Sequence, residues 1–224
     1  MNYDSLLELF KNRRSTRKFK PEPIPDDYID KIIEAARWAP SAANSQPWDF
    51  IIVKKLELKT RIVELLEEAN QLVKKVEAIR EPELRFKWGA AGYVRAPVFI
   101  ILCGDPRTRE AYPLNTMLVR GSSHFTTSMA ICFLYMTLAA ESLGLGAQWV
   151  SAIAYPHVQT LTKDLLNVPQ ELEFYDMLAL GYSDLEPKPR LMRNKLDMIH
   201  YDGYDKTKFR TDQQVKDFIT QLRK

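Results

Sequence analysis

The chain has 224 residues, of which 46% are hydrophobic and 27% are charged, so it can bury a sizeable core and is not disordered throughout. Its net charge of +3 is too small to predict a nucleic-acid-binding face. The first residues are polar and lack the basic and apolar segments of a secretory signal, and the most apolar helical stretch, 129–143, is too short to cross a bilayer. We therefore predict a cytoplasmic protein with neither nucleic acid nor membrane among its partners.

The spacing of apolar residues predicts the elements in chain order. Helices are predicted over 4–12, from Pro25-Asp26 to Pro40, and over 58–79, 123–143, 156–166 and 212–223. Strands are predicted over 49–53, 97–102, 148–154 and 174–180. Thr211 and Gln214 form the pattern of a capping box at the start of the last helix. The alternation of helices and short strands predicts an α+β or α/β fold with a sheet flanked by helices.

Two stretches depart from this regular pattern. Residues 104–122 are irregular, and the helix that follows, 123–143, is apolar on nearly every side, which predicts burial all round. Residues 183–210 match neither a helix nor a strand, so they form either a disordered linker or an arm on another surface. The arm is favoured because the stretch is too apolar for a solvated linker, and a second copy of the chain is the simplest partner for it.

The usual signals of metal, thiol and dinucleotide chemistry are missing. His124, His157 and His200 are far apart and no HExxH or CxxC pattern occurs, so no metal site is predicted. Cys103 and Cys132 lie in apolar runs, which predicts two small buried hydrophobic residues rather than a reactive thiol. The run GLGAQW, from Gly144, follows a helix and has tryptophan where the third glycine of a dinucleotide fingerprint belongs.

Four segments carry side chains suited to a charged, planar ligand. RRSTRKF, from Arg13 to Phe19, offers guanidinium and hydroxyl donors to one anion; alternatively, Arg13 and Arg14 complement the carbonyl end of the first helix. In APSAANSQPW, Asn44 and Gln46 present side-chain amides that suit an imide edge, although the segment is also an ordinary proline-bounded loop. The other two, the run QWVSA from Gln148 and the pair Arg190 and Arg193, are read by themselves as a core strand and as solvated charges.

Read together, these segments resemble the nitroreductase family of FMN proteins over nearly the whole chain. RRSTRKF resembles the family's opening R-x-S-x-R motif, and APSAANSQPW is similar to its P-S-x-x-N-x-Q-P-W loop. LGLGAQWVSA and LALGYSDLEPKPR…LDMIHYD are looser matches, whereas Phe86–Arg95 and 104–128 match nothing.

The resemblance implies a single nitroreductase-like α+β domain over 1–224, with a central, mostly antiparallel sheet flanked by helices. It implies an intertwined homodimer in which the arm 183–210 packs on the partner subunit and FMN lies at the interface. The implied cofactor-binding residues are Arg13, Arg14, Ser15 and Arg17; Pro40, Ser41, Asn44 and Gln46 from the other subunit; Trp149, Val150, Ser151 and Ala152; and Arg190 and Arg193 at the phosphate.

The implied activity is an NAD(P)H-dependent FMN oxidoreductase that works by a ping-pong cycle. The flavin carries the chemistry, no side chain is predicted to be catalytic, and a small acceptor such as a nitroaromatic or a quinone takes the electrons. The rivals are a flavin-dependent dehalogenase or flavin-fragmenting enzyme of the same fold, and a non-catalytic flavin-binding module. NADH or NADPH serves as the donor, and the sequence does not choose between them.

Overall fold

The computed structural model describes residues 2–87, 91–186 and 190–223. Its α-helices are α1 (Tyr3–Asn12), α2 (Asp26–Arg37), α3 (Leu56–Glu77), α4 (Leu114–Ser142), α5 (Pro156–Leu166) and α6 (Asp212–Leu222). Its strands are β1 (Trp48–Val53), β2 (Val98–Gly104), β3 (Gly146–Val150) and β4 (Glu173–Gly181). The chain divides into two compact units, the first containing 1–70 and 90–186 and the second containing 71–89 and 187–224.

The strands of the first unit form one antiparallel sheet in the order β1-β2-β4-β3. Trp48, which begins β1, pairs with Gly104, which ends β2, and Gly146, which begins β3, pairs with Gly181, which ends β4. Helices lie on both faces of this sheet, so the α+β prediction of a mostly antiparallel sheet flanked by helices is confirmed and the α/β alternative is wrong.

Both faces of the sheet are buried, which explains the apolar composition of its central strands. Ile100 and Leu102 face the core shared with α2 and α4, while Phe99 and Ile101 face the core shared with α3 and α5. Successive residues of a strand point to opposite faces, so a strand covered on both sides reads as a continuous apolar run rather than an alternating one. The run VFIILCG of β2 is buried at every position.

Helix α4 differs from its prediction in length and in burial. It begins at Leu114, so the irregular stretch predicted over 104–122 is wrong from that residue onward. Within one chain it buries a stripe that includes Phe125 and Met129, whereas Leu134, inside the predicted range, is 44% exposed, and Leu118 and Val119, before that range, are 73% and 69% exposed. Burial all round is therefore wrong for the single chain, and an apolar side of α4 faces solvent.

The predicted third strand is also shorter than its apolar pattern. β3 ends at Val150, and residues Ser151–Ala154 form a 3-10 turn that leads into α5. Cys103 and Cys132 are fully buried and unpaired, and burial raises the pKa of each thiol to about 12. The prediction of two buried hydrophobic cysteines is confirmed, because a thiol with that pKa carries almost no thiolate at neutral pH.

The second unit contains the end of α3, most of the arm and α6. The capping box of α6 is confirmed: the Thr211 hydroxyl accepts from the Gln214 backbone N–H, and the Gln214 side chain accepts from the backbone N–H of Thr211. In the described part of 183–210, the only helical pieces are the 3-10 turns Lys195–Met198 and Lys206–Lys208. Both the single-domain assignment and the role of the arm on a partner subunit stay predictions.

Among the described residues, no helix has the length and apolarity needed to cross a membrane.

Candidate functional site

The basic segment, Arg13–Phe19, leaves α1 and runs along the outer edge of β3. Ser15 forms a parallel bridge with Ala147, and the backbone N–H of Thr16 donates to the Ala147 carbonyl at 2.8 Å. The end of the segment forms an antiparallel bridge with Ser183, just past β4. Backbone pairing therefore fixes the path of the segment, with Thr16 and Phe19 buried and Ser15 and Arg17 exposed.

Three glycines allow the basic segment to lie this close to the sheet. A Cβ atom on Gly92 would lie 2.5 Å from the carbonyl oxygen of Arg17, and one on Gly146 would lie 2.9 Å from the Cβ of Thr16. A Cβ atom on Gly181 would lie 2.8 Å from the Phe19 ring. Each distance is shorter than van der Waals contact, so larger residues at these positions would displace the segment. Gly146 therefore makes room for a neighbouring chain segment and does not belong to a dinucleotide fingerprint.

The arginines of the basic segment have different surroundings. The Arg14 guanidinium donates to the carbonyls of Lys11 and Arg13, which supports the helix-terminus alternative for this residue. Arg13 and Arg14 also lie near Glu141 of α4, where burial raises the pKa of the carboxyl group and the two arginines oppose that rise. Arg17 is exposed, and within the described residues of its own unit its guanidinium has no partner. Arg17 is thus the cation of this segment that is open to an anionic or acceptor-rich ligand.

The loop Pro40–Pro47, between α2 and β1, has an unusual backbone. Ala43, Asn44 and Gln46 have φ angles of 51°, 50° and 43°, in the left-handed region that favours glycine. Left-handed geometry costs roughly 1 kcal/mol or more for each such residue, and this kind of strain gathers at ligand sites. The Ser41 hydroxyl holds the loop closed by accepting from the Gln46 backbone N–H at 3.0 Å. The side chains of Asn44 and Gln46 are exposed, as recognition by their amides requires.

Hydrogen bonds connect this loop to the region 104–128, which matches no motif of the family. The Ala42 N–H donates to the Ser128 hydroxyl at 3.1 Å, and that hydroxyl donates to the His124 carbonyl at 2.8 Å. The Asp105 N–H donates to the Pro47 carbonyl at 2.8 Å. The start of α4 and the residues after β2 therefore set the position of the loop.

Within one chain, the basic segment and the loop lie at opposite ends of the sheet. The loop leads into Trp48, which pairs with Gly104, whereas the basic segment lies beside Ala147 and the end of β4 near Gly181. β2 spans the distance between these ends with 7 residues. At about 3.3 Å per residue, the two ends are roughly 20 Å apart. Within one chain the basic segment therefore lies beside β3, whereas the loop Pro40–Pro47 is close to neither the basic segment nor β3.

The predicted contacts on β3 and the turn after it differ in exposure. Val150 is buried and Ala152 is partly buried, whereas Trp149 and Ser151 are exposed, so a ligand can reach these last two most directly. The side-chain oxygen of Gln148 is buried and has no hydrogen-bond partner among the described residues. A buried acceptor without a partner is unfavourable by about 1–3 kcal/mol, which favours a donor that is supplied by water or by a ligand.

Sequence reasoning missed Asp176, which lies on β4 beside the predicted site. The indole N–H of Trp149 donates to the Asp176 carboxylate at 2.5 Å, and this carboxylate is 8% exposed. The signal was present in the sequence, because FYDMLAL places an aspartate in the middle of an apolar strand. Carboxylates are rarely buried without a specific partner.

The two late arginines belong to the second unit. Arg193 lines an open cleft of about 540 Å³ within that unit, together with Asp197, Arg210 and Phe218. Arg190 is exposed and has an interaction of its own. The contact of Arg190 and Arg193 with a flavin phosphate stays a prediction. In the described residues there is no group of three metal-ligating side chains.

Comparison with known proteins agrees with this architecture. The family model described as "Nitroreductase family" matches residues 10–182 of this chain. The chain therefore belongs to the nitroreductase family of oxidoreductases. The matched range contains the basic segment, the loop, β3 and Asp176.

Its relatives act in more than one way. Iodotyrosine deiodinase 1 of Rattus norvegicus is 35% identical over 89% of this chain and 70% of that protein. The 5,6-dimethylbenzimidazole synthase of Rhodospirillum rubrum is 30% identical, and the match covers 85% of this chain and 88% of that protein. The crystal structure of an oxidised iodotyrosine deiodinase bound to FMN and 3-iodo-L-tyrosine is 27% identical, with a TM-score of 0.70 over 89% of this chain and all 100% of that one.

Proposed function

We propose that the protein is an FMN-dependent oxidoreductase that takes hydride from NADH or NADPH and passes the electrons to a small acceptor, such as a nitroaromatic or a quinone. The observation that carries this proposal is the basic segment, which is seated along β3 with the Arg17 guanidinium exposed and without a partner in its unit. Family membership and the FMN-bound deiodinase structure support the choice of cofactor.

The residues present fit a flavin mononucleotide. A phosphate needs cations and hydroxyl donors, which Arg13 and Ser15 provide on a segment whose backbone is fixed, and we assign Arg17 of the same segment to the polar edge of the flavin ring. A flavin ring also needs hydrogen-bond partners for its polar edge, and the buried Gln148 oxygen lacks a donor. No second glycine-rich cradle is present for the pyrophosphate of FAD, so the smaller flavin fits better.

When bound, FMN would supply the two-electron chemistry between the nicotinamide and the acceptor in a ping-pong cycle. The side chains of the chain bind and orient rather than react. Arg17 holds positive charge where a ligand can meet it, and such fixed charge stabilises negative charge that develops nearby. The Ser151 backbone lies at the start of the turn after β3, where an N–H can be presented to a ring. Asn44 and Gln46 offer amides from the strained loop.

The cofactor test is direct. We expect the purified protein to be yellow and to release FMN, not FAD, when it is heated, since the chain carries one compact anion-binding segment. Chromatography of the released flavin against both standards checks this expectation. A colourless protein that takes up no FMN, or a protein that releases FAD, would contradict the assignment.

We propose further that the working form is a homodimer with flavin at the interface. In one chain the basic segment and the loop are separated by the length of the sheet, so a ligand shared by both needs two chains. Helix α1 buries none of its residues despite the apolar Leu6 and Phe10, and α4 exposes Leu118 and Val119. Apolar helix faces of this kind usually mark interfaces.

Sedimentation velocity at micromolar concentration should therefore show a dimer. Leu118→Glu should shift the protein toward monomer and lower its FMN content, because a charge would be buried in the interface. The matched control is Leu161→Glu on α5, a leucine that is 49% exposed in the single chain and should tolerate the charge. A wild-type monomer with a full complement of FMN would overturn the interface proposal.

A deiodinase-like activity is the second candidate, and the rat relative at 35% identity favours it. A 5,6-dimethylbenzimidazole synthase activity is supported in the same way by the relative at 30% identity. One steady-state screen separates the nitroaromatic or quinone reductase from the deiodinase: both nicotinamides are tested against nitroaromatic, quinone and halogenated phenol acceptors. Rapid bleaching of bound flavin by NADH or NADPH separates any of these enzymes from a non-catalytic flavin-binding module.

A further inference from the structure

Asp176 is a buried carboxylate at the centre of β4. It faces the core shared with α4, pairs with Leu102 across the sheet, and is 8% exposed. Its one side-chain hydrogen bond among the described residues comes from the Trp149 indole N–H at 2.5 Å. Trp149 lies on the neighbouring strand β3, so the hydrogen bond links β3 to β4 and joins residues that are 27 positions apart in the sequence.

The indole of Trp149 is partly exposed to solvent, although its hydrogen-bond acceptor, Asp176, is buried. Trp149 is 42% exposed, while its ring packs on Phe133 of α4 with centroids 4.2 Å apart. Tyr175 completes the cluster, with its ring centroid 6.1 Å from that of Trp149 and 5.9 Å from that of Phe133. One part of the indole thus packs against aromatic rings, and another part is accessible to a ligand.

Stability alone does not account for this carboxylate. Burial raises the pKa of Asp176 to about 6, and the indole N–H offsets only part of that rise. The pKa of a free aspartate is about 3.9, so between the two values the folded chain binds the proton that the unfolded chain releases. The contribution of Asp176 to stability is therefore complete below pH 4 and is lost as the pH rises through 6. At neutral pH the buried charge opposes folding, so its role is better sought in Trp149.

We infer that Asp176 is a positioning residue that fixes the Trp149 indole as an aromatic surface for the flavin or for the acceptor beside it. The inference rests on the proposed function for the identity of the ligand. The physical basis is the pairing of one fixed acceptor with a donor that has only one N–H, since this pairing sets the rotation of the ring as well as its location. A ring that is held in place before binding loses less conformational entropy when a planar ligand contacts it.

The anchoring is tested first without flavin. The chain has four tryptophans, so the near-ultraviolet circular dichroism of Trp149 is measured in the FMN-free protein as the difference between wild type and Trp149→Phe. This Trp149 signal should be lost in Asp176→Leu and largely kept in Asp176→Asn. The asparagine oxygen still accepts from the indole, whereas leucine does not. The wild-type signal should change with an apparent pKa near 6, and Asp176→Asn should remove this change. Tyr175 is the other ionisable group of the cluster, and burial raises its pKa to about 12, so it does not titrate in this range.

The second measurement is the dissociation constant of FMN, followed by quenching of flavin fluorescence. Asp176→Leu should weaken binding by about tenfold, Asp176→Asn by less than threefold, and Trp149→Phe by about tenfold. The double variant Asp176→Leu/Trp149→Phe should bind no more weakly than Trp149→Phe, because the two residues act through one contact. Thermal unfolding of the FMN-free variants shows that each is folded, and Asp176→Asn should be more stable than wild type at pH 7.5 but not at pH 4.

The outcomes separate the inference from the proposed function. If the wild-type protein binds no FMN, the proposed function fails, while the circular dichroism and its pH dependence still decide whether Asp176 anchors Trp149. If Asp176→Leu keeps the wild-type tryptophan signal, the anchoring is wrong. If FMN is bound and the effects of Asp176→Leu and Trp149→Phe simply add, Asp176 acts on binding by another route and the positioning role is overturned.

Discussion

Replacing Gly92 with alanine is expected to unfold or displace the basic segment, because the added Cβ would meet backbone atoms of Arg17 that no rotamer change can move. Overpacking of this kind costs about 3 kcal/mol when the neighbour cannot yield. In a chain of this length, that loss lowers the melting temperature by roughly 6–12 °C. FMN affinity should fall at least tenfold at the same time, since the segment that carries Arg17 would move. Thermal unfolding with and without FMN measures both effects.

Gly203→Ala is the matched control for this substitution. A Cβ at Gly203 meets nothing within 4 Å, and Gly203 does not have the positive φ that makes alanine unfavourable. The melting temperature of this variant should therefore stay within about 2 °C of wild type, or rise slightly. Equal effects at the two glycines would mean that the contact between Gly92 and Arg17 does not hold the basic segment in place.

Replacing Arg17 with alanine is expected to lower turnover by roughly tenfold to a hundredfold even at saturating FMN. A charge-assisted hydrogen bond contributes about 1.5–3 kcal/mol, and ~1.4 kcal/mol corresponds to one decade of rate. The guanidinium is exposed and has no partner in its own unit, so its removal leaves no buried group unsatisfied and the fold should keep its stability. Steady-state kinetics with added FMN, together with thermal unfolding, separates loss of turnover from loss of structure.

Lys18→Ala supplies the control for charge on the same segment. Lys18 lies next to Arg17 and is also exposed, but it pairs with Asp184 at 2.7 Å and should matter little to turnover. Arg13→Ala should weaken FMN binding by about tenfold, yet excess FMN should restore its turnover because we assign Arg13 to the phosphate. Rescue of Arg17→Ala by FMN, without rescue of Arg13→Ala, would reverse the two assignments.

Local patterns in the sequence were sufficient for most of the elements. Helix α5 begins and ends as predicted, and the capping box at Thr211 forms as its spacing indicates. These features depend on residues a few positions apart, so their periodicity and hydrogen bonding can be recognised in the sequence alone. The start of α4 at Leu114 was missed because the apolar residues there face solvent and follow no stripe directed at a core.

The motifs determined by themselves which chemistry the chain can carry and which family it resembles. Guanidinium groups at Arg13 and Arg17 and amides at Asn44 and Gln46 are recognisable as residue types, wherever the fold places them. Tertiary structure decided how they are arranged: the basic segment lies beside β3, and the amide loop lies at the other end of the same sheet. That arrangement follows from the strand order β1-β2-β4-β3, which pairs residues far apart in the chain.

Tertiary structure alone also distinguished between residues that look equivalent in the sequence. Arg14 turns back to the carbonyls of α1 while Arg17 stays open, Gly92 touches a backbone 75 positions earlier in the chain while Gly203 touches nothing, and Asp176 meets Trp149 across two strands. The physical reason is the same in each case. Contact distance, burial and the loss of solvation depend on neighbours supplied by other elements, and a single sequence specifies residue types without specifying those neighbours.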